Sequence, residues 1–380
     1  MPVSSPIICV VGARPNFMKM AAILPVLKGG NSPLNTYLVH TGQHYDAAMK
    51  DAFFHQLDIP TPNIDLEVGS GTHALQTAEI MRRFEPIIDQ ERPGAVLVVG
   101  DVNSTIACAL VAVKKGVPVI HVEAGLRSWD RTMPEEINRI LVDQLADFLF
   151  TTERIALDNL TREGISANKV HFVGNVMIDT LLRLLPKAPQ AKSILAKFSG
   201  GAPFPLDSGS YGLLTLHRPS NVDEADMLEG LLQELASISK QIPLIFPIHP
   251  RTRAQIKRFG LEKLLAETNF LPMPPIGYLE MLGLMKDARL VLTDSGGIQE
   301  ETTALGIPCI TIRENTERPI TITSGTNTLV GSDGKKMRMA VMEVLEGGGK
   351  AGRIPELWDG KAALRIAAVL QDSFANVCAR

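Results

Sequence analysis

Cysteine is scarce in this chain: four in 380 residues. Cys9, Cys108, Cys309 and Cys378 stand far apart, which excludes a disulfide frame and a zinc–thiolate cluster. Three of them fall in apolar or helical patterns and are expected as small buried hydrophobes in a reducing compartment. The 8 histidines are scattered, and neither HExxH nor CxxC spacing occurs, so no metal site is expected. A dominant charge is missing too. With a net charge of -3, broad attraction to nucleic acid or to an anionic membrane is excluded. An acidic ligand would have to be held by a few placed basic residues and by helix ends. No apolar run is long enough to cross a bilayer, and Met1-Pro2-Val3-Ser4-Ser5 brings no basic segment ahead of the short run Ile7 to Val11. We therefore expect no membrane span, no signal peptide and a cytoplasmic location. There is no repeat of solenoid period, no GxSxG elbow and no GxxxxGKS/T loop. Gly69-Ser70-Gly71-Thr72-His73-Ala74 has dinucleotide-fingerprint spacing but follows only a weak strand, far from the first βαβ unit, and reads as a chance match.

What is present is a chain of ordinary apolar content, 45% hydrophobic, with length enough for two domains. Short β-rich runs alternate with amphipathic stretches. Strands are expected at Ile7 to Val11, Thr36 to His40, Ala95 to Val99, Val117 to Val122, Phe148 to Thr151 and Lys169 to Val173. Helices are expected from about Pro15, over Tyr45 to Leu57, His73 to Gln90, Ser104 to Lys115 and Pro134 to Ala146. A loop-rich stretch from Lys187 to Ser210, dense in proline and glycine, opens a second domain. There the rhythm restarts. Strands are Gly212 to Leu216, Leu244 to Pro247, Leu290 to Thr293 and Cys309 to Ile312. Helices cover Asp223 to Lys240, Arg251 to Glu267, Tyr278 to Lys286, Gly297 to Leu305, Lys335 to Leu345 and Lys361 to Ala375. The pattern predicts an α/β protein of two doubly wound, Rossmann-like domains meeting at a cleft, with ligands at the carboxyl ends of the strands.

The residues that follow each strand are then the candidates. Thr293-Asp294-Ser295-Gly296-Gly297-Ile298-Gln299-Glu300-Glu301 turns a buried strand into a helix. The glycines permit close backbone approach, and the free amides of the helix start favour a phosphate. Glu301, one turn in, can accept hydrogen bonds from ribose hydroxyls. The plain alternative is a tight turn with Ser295 as N-cap. Arg14 and Lys19 follow the first strand and suit a diphosphate or carboxylate, or are simply solvated. Asp101 either caps the next helix or is held over a ligand. Glu123 directly continues a buried strand, which is costly unless it is paired, with Arg127 for instance, or functional. Glu135 and Glu136 complement a Pro-started helix, and only one can face the cleft. His217 ends a strand as an acid, base or phosphate donor, and His249 repeats the arrangement.

Together these segments resemble the non-hydrolysing UDP-N-acetylglucosamine 2-epimerases. The resemblance is carried, in order, by GARPNFMKM at 12–20, HTGQHYD at 40–46, GDVNS at 100–104, HVEAGLRS at 121–128, MPEEINR at 133–139, GNVMID at 174–179, LTLHRP at 214–219, HPRT at 249–252, TDSGGIQEE at 293–301 and TERP at 316–319. It implies a GT-B-like architecture: a first domain of residues 1–174 joined by a returning helix of about 363–380, and a UDP-binding domain of 175–362. It implies C2 epimerisation without a cofactor, by elimination and re-addition of UDP through a 2-acetamidoglucal. Asp101, Glu123 and Glu135 would be the acid/base groups, assisted by His217. Arg14, Lys19, His217, Ser295, Gly296 and Gly297 would hold phosphate, joined by Arg318, with Glu301 on the ribose. Gln43, His44 and His249 match a regulatory substrate site of allosteric bacterial members, although the segment Leu66 to Gly71 lacks that site's basic residue. HRPSN stands where HRREN is frequent. The partners implied are a UDP-sugar and a second copy of the chain, and the product would feed a surface polysaccharide. The rival readings are a 2-epimerase of UDP-2,3-diacetamido-2,3-dideoxy-glucuronate, a hydrolysing relative that releases free sugar and UDP, a GT-B UDP-sugar glycosyltransferase, and a non-catalytic nucleotide-sugar sensor, against which the intact Asp101, Glu123 and Glu135 argue.

Overall fold

The structure, a computed structural model, describes residues 5–29, 33–42, 54, 56–198, 209–266 and 269–375, leaving aside the side chains of Arg14 and Ala375. The expected helix over Tyr45 to Leu57 lies largely outside the described residues. The chain forms two compact units, Met1–Arg183 with Glu356–Arg380, and Leu184–Pro355.

The first unit is built on a seven-stranded parallel sheet: β1 (Ile7–Val11), β2 (Thr36–His40), β3 (Ile64–Asp65), β4 (Ala95–Val99), β5 (Val119–Ala124), β6 (Phe148–Thr151) and β7 (Val170–Phe172). Its order is β3-β2-β1-β4-β5-β6-β7. Ile7 of β1 pairs with Thr36 on one side and Ala95 on the other. The central strands are apolar throughout because both faces are covered, so they show no alternation. Helices α1 (Arg14–Lys28), α2 (His73–Glu91), α3 (Asn103–Lys114), α4 (Pro134–Leu145), α5 (Arg154–Arg162) and α6 (Val176–Leu184) connect the strands. The second unit repeats the plan with six strands, β8 (Gly212–Thr215), β9 (Leu244–Pro247), β10 (Phe270–Met273), β11 (Leu290–Thr293), β12 (Cys309–Thr311) and β13 (Asn327–Leu329). Their order is β10-β9-β8-β11-β12-β13. In each sheet the winding direction reverses beside its first strand, at β1/β4 and at β8/β11. The loops leaving those strands diverge there and open a crevice at the carboxyl edge.

Most strands lie where the sequence put them; the departures have local causes. The expected continuous helix Arg251 to Glu267 breaks at Gly260, whose φ of 71° is left-handed, into Pro250–Phe259 and Glu262–Ala266. β10 was hidden by Pro272. It is an edge strand pairing with β9 alone, where a missing N–H costs no ladder bond. The Pro- and Gly-rich stretch after Lys187 contains a helix, Ala191–Phe198. The three described cysteines are buried and free.

The final helix (Ala362–Ala375) lies on α1 within the first unit. Three contacts dock the segment before it. Trp358 Nε1 donates to Thr152 O at 3.1 Å, and Asp179 of α6 accepts the amides of Ala362 and Ala363 at 3.1 and 2.7 Å. Leu357 O passes so close to Gly174 that a Cβ there would stand 2.1 Å from it. Asp179 thus caps a helix far along the chain. Burial pushes its carboxyl up from the ordinary value and the two amides pull it partly back, so negative charge is not what the position needs. Asp179→Ala should therefore cost about 1–2 kcal/mol and lower Tm by roughly 2–6 °C. Asp179→Asn, which keeps an acceptor, should cost less than half of that, as calorimetry of the two variants would show.

Candidate functional site

In the first unit the chemistry gathers at the carboxyl ends of β1, β4 and β5. Asn16, in the first turn of α1, accepts the amides of Gly12 and Ala13 at 3.2 and 3.1 Å and donates to Val99 O at 2.9 Å. One amide side chain therefore locks the end of β1 to the end of β4. Gly12 has no room for a Cβ, which would lie 2.0 Å from Ser104 Oγ and 2.5 Å from Thr41 Oγ1.

Glu123 occupies a bulge in β5, between Val122 and Ala124, with a left-handed φ of 75°. A bulge re-aims a side chain at the cost of local strain. The re-aimed carboxylate is buried and meets Lys19 Nζ at 2.7 Å. Lys19 is thus turned toward Glu123. The pairing of Glu123 with Arg127 is not made, because Arg127 is engaged by Asp143 at 2.7 Å and Glu163 at 2.5 Å. Gly100, φ 67°, makes room for this ion pair: a Cβ there would stand 2.7 Å from Lys19 Nζ.

Val102 holds the N-cap position of α3 without a side-chain bond. Asp101 Oδ2 accepts from Arg139 Nη2 at 2.5 Å, and its carbonyl accepts from Asn138 Nδ2 at 2.8 Å. Arg139 Nη1 also donates to Glu136 Oε2 at 2.6 Å. Glu136 is fully buried and accepts the Ser128 amide and hydroxyl and the Trp129 amide, at 2.9 to 3.0 Å. Of the two carboxylates that open α4, Glu136 is the inward, structural one and Glu135 stays half-buried. Sequence reasoning missed His121, buried in β5. Its Nδ1 meets Asp143 at 2.7 Å and its Nε2 donates to Gly100 O at 2.9 Å, steadying the turn that carries Asp101. The available signal was a histidine inside an otherwise apolar strand.

In the second unit the ends of β8 and β11 are joined by Thr215 and Thr293, whose hydroxyls share a hydrogen bond of 2.6 Å. The residue that organises this edge, Asp294, was passed over as part of the glycine turn. It is fully buried and accepts the amides of His217 and Arg218 at 2.9 and 2.8 Å and Asn221 Nδ2 at 3.2 Å. His217 Nδ1 donates to it at 2.9 Å, which turns Nε2 away from the carboxylate. Burial alone would push the Asp294 carboxyl up. The His217 hydrogen bond and charge, with the two amides, outweigh it and hold the carboxyl below its ordinary value.

Ser295 stands at the N-cap of the helix Gly296–Leu305 but makes no side-chain cap bond. The first-turn amides of that helix, at Gly296 and Gly297, have no intrahelical acceptors and form a positive dipole end. A Cβ on Gly296 would lie 2.6 Å from Glu317 Oε1, so a side chain there would displace that carboxylate. Glu301, buried one turn on, accepts from the Tyr278 hydroxyl at 2.9 Å. Burial and the adjacent carboxylate push that phenol well above its ordinary value. Arg318 is buried against Glu300 at 2.8 Å. His249 caps the helix Pro250–Phe259 through Nδ1, which accepts from the Arg251 amide, and its ring lies 5.5 Å from that of His217. Gln43, His44 and the Arg14 side chain lie outside the described residues. One edge therefore presents carboxylates fixed by buried cations, suited to moving protons. The other presents amides and an oriented imidazole, suited to an anion.

The family model for UDP-N-acetylglucosamine 2-epimerase matches residues 29–371. A UDP-N-acetylglucosamine 2-epimerase of Methanocaldococcus jannaschii is 42% identical over 364 residues, covering 95% of this chain and 97% of its own. A UDP-2,3-diacetamido-2,3-dideoxy-D-glucuronate 2-epimerase of Pseudomonas aeruginosa is 42% identical over 329 residues, covering 86% of this chain and 88% of its own. The crystal structure of the M. jannaschii UDP-GlcNAc 2-epimerase in complex with UDP-GlcNAc and UDP superposes with a TM-score of 0.87 at 40% identity, covering 97% of this chain and 99% of that one.

Removing the Asp294 carboxylate leaves buried donors unpaired, so Asp294→Ala should lower the unfolding free energy by about 2–4 kcal/mol. Because the folded-state pKa lies below the ordinary 3.8, the charge-dependent part of this stabilisation is complete above pH 3.8 and is lost as pH falls through the lower folded value. Urea titrations of wild type and Asp294→Asn should therefore differ most near neutral pH and converge below pH 3.8.

Proposed function

The chain belongs to the UDP-N-acetylglucosamine 2-epimerase family, and from that premise we propose that it interconverts UDP-N-acetylglucosamine and UDP-N-acetylmannosamine. One carboxylate removes the proton at carbon 2. The C–H electron pair forms a double bond to carbon 1 as the bond from carbon 1 to the UDP oxygen breaks. UDP and 2-acetamidoglucal remain bound, a second acid returns a proton to the opposite face of carbon 2, and UDP adds back to carbon 1. The sum is an isomerisation, balanced without an oxidant.

The observation that carries this reading is the pair of cation-held carboxylates on neighbouring strand ends, Asp101 on Arg139 and Glu123 on Lys19. With Glu135 they supply acid/base groups on two connections, Asp101 after β4 and Glu123 and Glu135 at either end of the connection after β5, as protonation from two faces requires. Lys19 is given the task of orienting Glu123. The second unit's part is the leaving group: His217 Nε2 and the amides at Ser295, Gly296 and Gly297 stabilise the departing diphosphate, with Arg14 and Arg318 as further cations and Glu301 on the ribose. His249, whose ring lies 5.5 Å from that of His217, is the described member of the set matching a regulatory site, and the missing basic residue between Leu66 and Gly71 counts against regulation of this chain by its substrate. We place the enzyme in the cytoplasm as a homodimer that supplies an N-acetylmannosamine-type sugar for a surface polysaccharide. No described helix is long and apolar enough to cross a membrane.

Incubation with UDP-N-acetylglucosamine in D2O tests the reaction. Deuterium at carbon 2 together with UDP-N-acetylmannosamine is expected by NMR. Exchange only with UDP-2,3-diacetamido-glucuronate would transfer the activity to that substrate, and free N-acetylmannosamine would indicate hydrolysis instead. Asp101→Asn should slow exchange by at least about 100-fold with UDP affinity nearly unchanged, and full activity would remove Asp101 from the mechanism. Glu301→Ala should weaken UDP binding by about 10-fold; an unchanged affinity in calorimetry would end its ribose role.

A further inference from the structure

Of the 2 tryptophans in the chain, Trp358 is buried while Trp129 is 63% exposed. Among the described residues the Trp129 indole stacks on no other ring and its Nε1 donates to no acceptor. Its backbone is left-handed, φ 61°, a conformation that a bulky side chain rarely adopts and that glycine takes freely. Glu123, at the other end of the same β5–α4 connection, is left-handed as well. Strain of this kind persists only where the surroundings over-determine it, and it concentrates at ligand sites.

Here the surroundings are specific. The Trp129 amide donates to Glu136 Oε1 at 3.0 Å, Glu136 Oε2 accepts from Arg139 at 2.6 Å, and Arg139 holds Asp101 at 2.5 Å. Ser128 adds its amide and hydroxyl to the same carboxylate, both at 2.9 Å. The buried Glu136–Arg139 pair therefore fixes two things at once: the carboxylate proposed to handle the sugar proton, and the backbone that carries the indole. A packing residue would have its ring covered; this one has its main chain clamped and its ring left open.

We infer that Trp129 is a specificity-determining residue whose indole packs against the acetamido-bearing sugar of the nucleotide substrate. This rests on the proposed epimerase reading. An indole face suits the C–H surface of a pyranose and the acetamido methyl, and adds nothing to the affinity for UDP alone.

The intact wild-type protein tests this through iodide quenching of its intrinsic fluorescence, because buried Trp358 is shielded and Trp129 is not. UDP-N-acetylglucosamine should protect Trp129 from iodide and UDP alone should not. No protection by the sugar nucleotide, or equal protection by UDP, overturns the inference, as does a Trp129 that iodide cannot reach in the free enzyme. Trp129→Gly should raise KM by about 2- to 10-fold with kcat and UDP affinity within about twofold, and Trp129→Phe should restore most of the loss. Since glycine accepts the left-handed backbone, Trp129→Gly should melt no lower than wild type. A lower Tm, or an unchanged KM, makes Trp129 structural and ends the proposal. Protection of Trp129 without deuterium exchange at carbon 2 would sink the epimerase reading while leaving the sugar contact standing.

Discussion

A carboxylate at the end of a buried parallel strand needs a partner, because moving an ionised acid out of water is far costlier than any hydrophobic gain nearby can offset. Both sheets of this protein are arranged around that constraint, and they answer it in opposite ways. In the first unit buried cations hold the acids: Lys19 holds the buried Glu123 and Arg139 holds the partly exposed Asp101. In the second the buried acid is itself the holder. Asp294 is spent on gathering two amides, an asparagine and the His217 imidazole, which leaves the histidine facing outward. The first arrangement yields oriented carboxylates and the second an oriented imidazole.

Glycine makes these pairings fit. At the reversal point of the first sheet, Gly12 and Gly100 stand where a methyl group would overlap Ser104 Oγ and Lys19 Nζ. In the second, Gly296 stands against Glu317. Each is a place where a charged or hydroxyl group must lie directly on the main chain. The alternative, a larger opening filled by water, would screen the ion pairs and loosen the acids they hold. The same economy of contacts recurs at the return of the chain to the first unit, where Leu357 O lies on Gly174 and Asp179 closes the start of the last helix.

The sequence discloses the periodic and local parts of this design. Fully apolar runs such as Ala95 to Val99 mark buried strands, and the polar residues just after them mark the carboxyl edge, so Asp101, Glu123, Glu135, His217 and the Ser295 turn could be named as candidates from the chain alone. Partners could not. Lys19 and Glu123 meet across two strands, and Glu123 reaches Lys19 only because a bulge breaks the alternation from which its direction would be read. Arg127 was the nearer cation in sequence, yet it serves Asp143 and Glu163. Asp294 and His121 were overlooked for a related reason: a buried polar residue is silent in a hydrophobicity pattern until its acceptors and donors are located. β10 and the helix Ala191–Phe198 were masked by proline and glycine, whose meaning depends on whether the strand is at an edge and where the helix begins.

Glu136 shows why neighbouring acids in one motif must be separated by structure before either is given a role. Glu135 and Glu136 carry the same charge at the same helix start, and both complement its dipole. Only Glu136 is withdrawn from solvent, and it receives Arg139 together with the Ser128 and Trp129 backbone. Breaking that hub would misplace Asp101 and release a strained loop together, whereas loss of Glu135 would remove one half-buried carboxylate and leave the scaffold intact. The two acids therefore act at different levels, one by holding geometry and one by being available. Reaction at a sugar carbon needs both, because a proton moves usefully only when the base that takes it is held still.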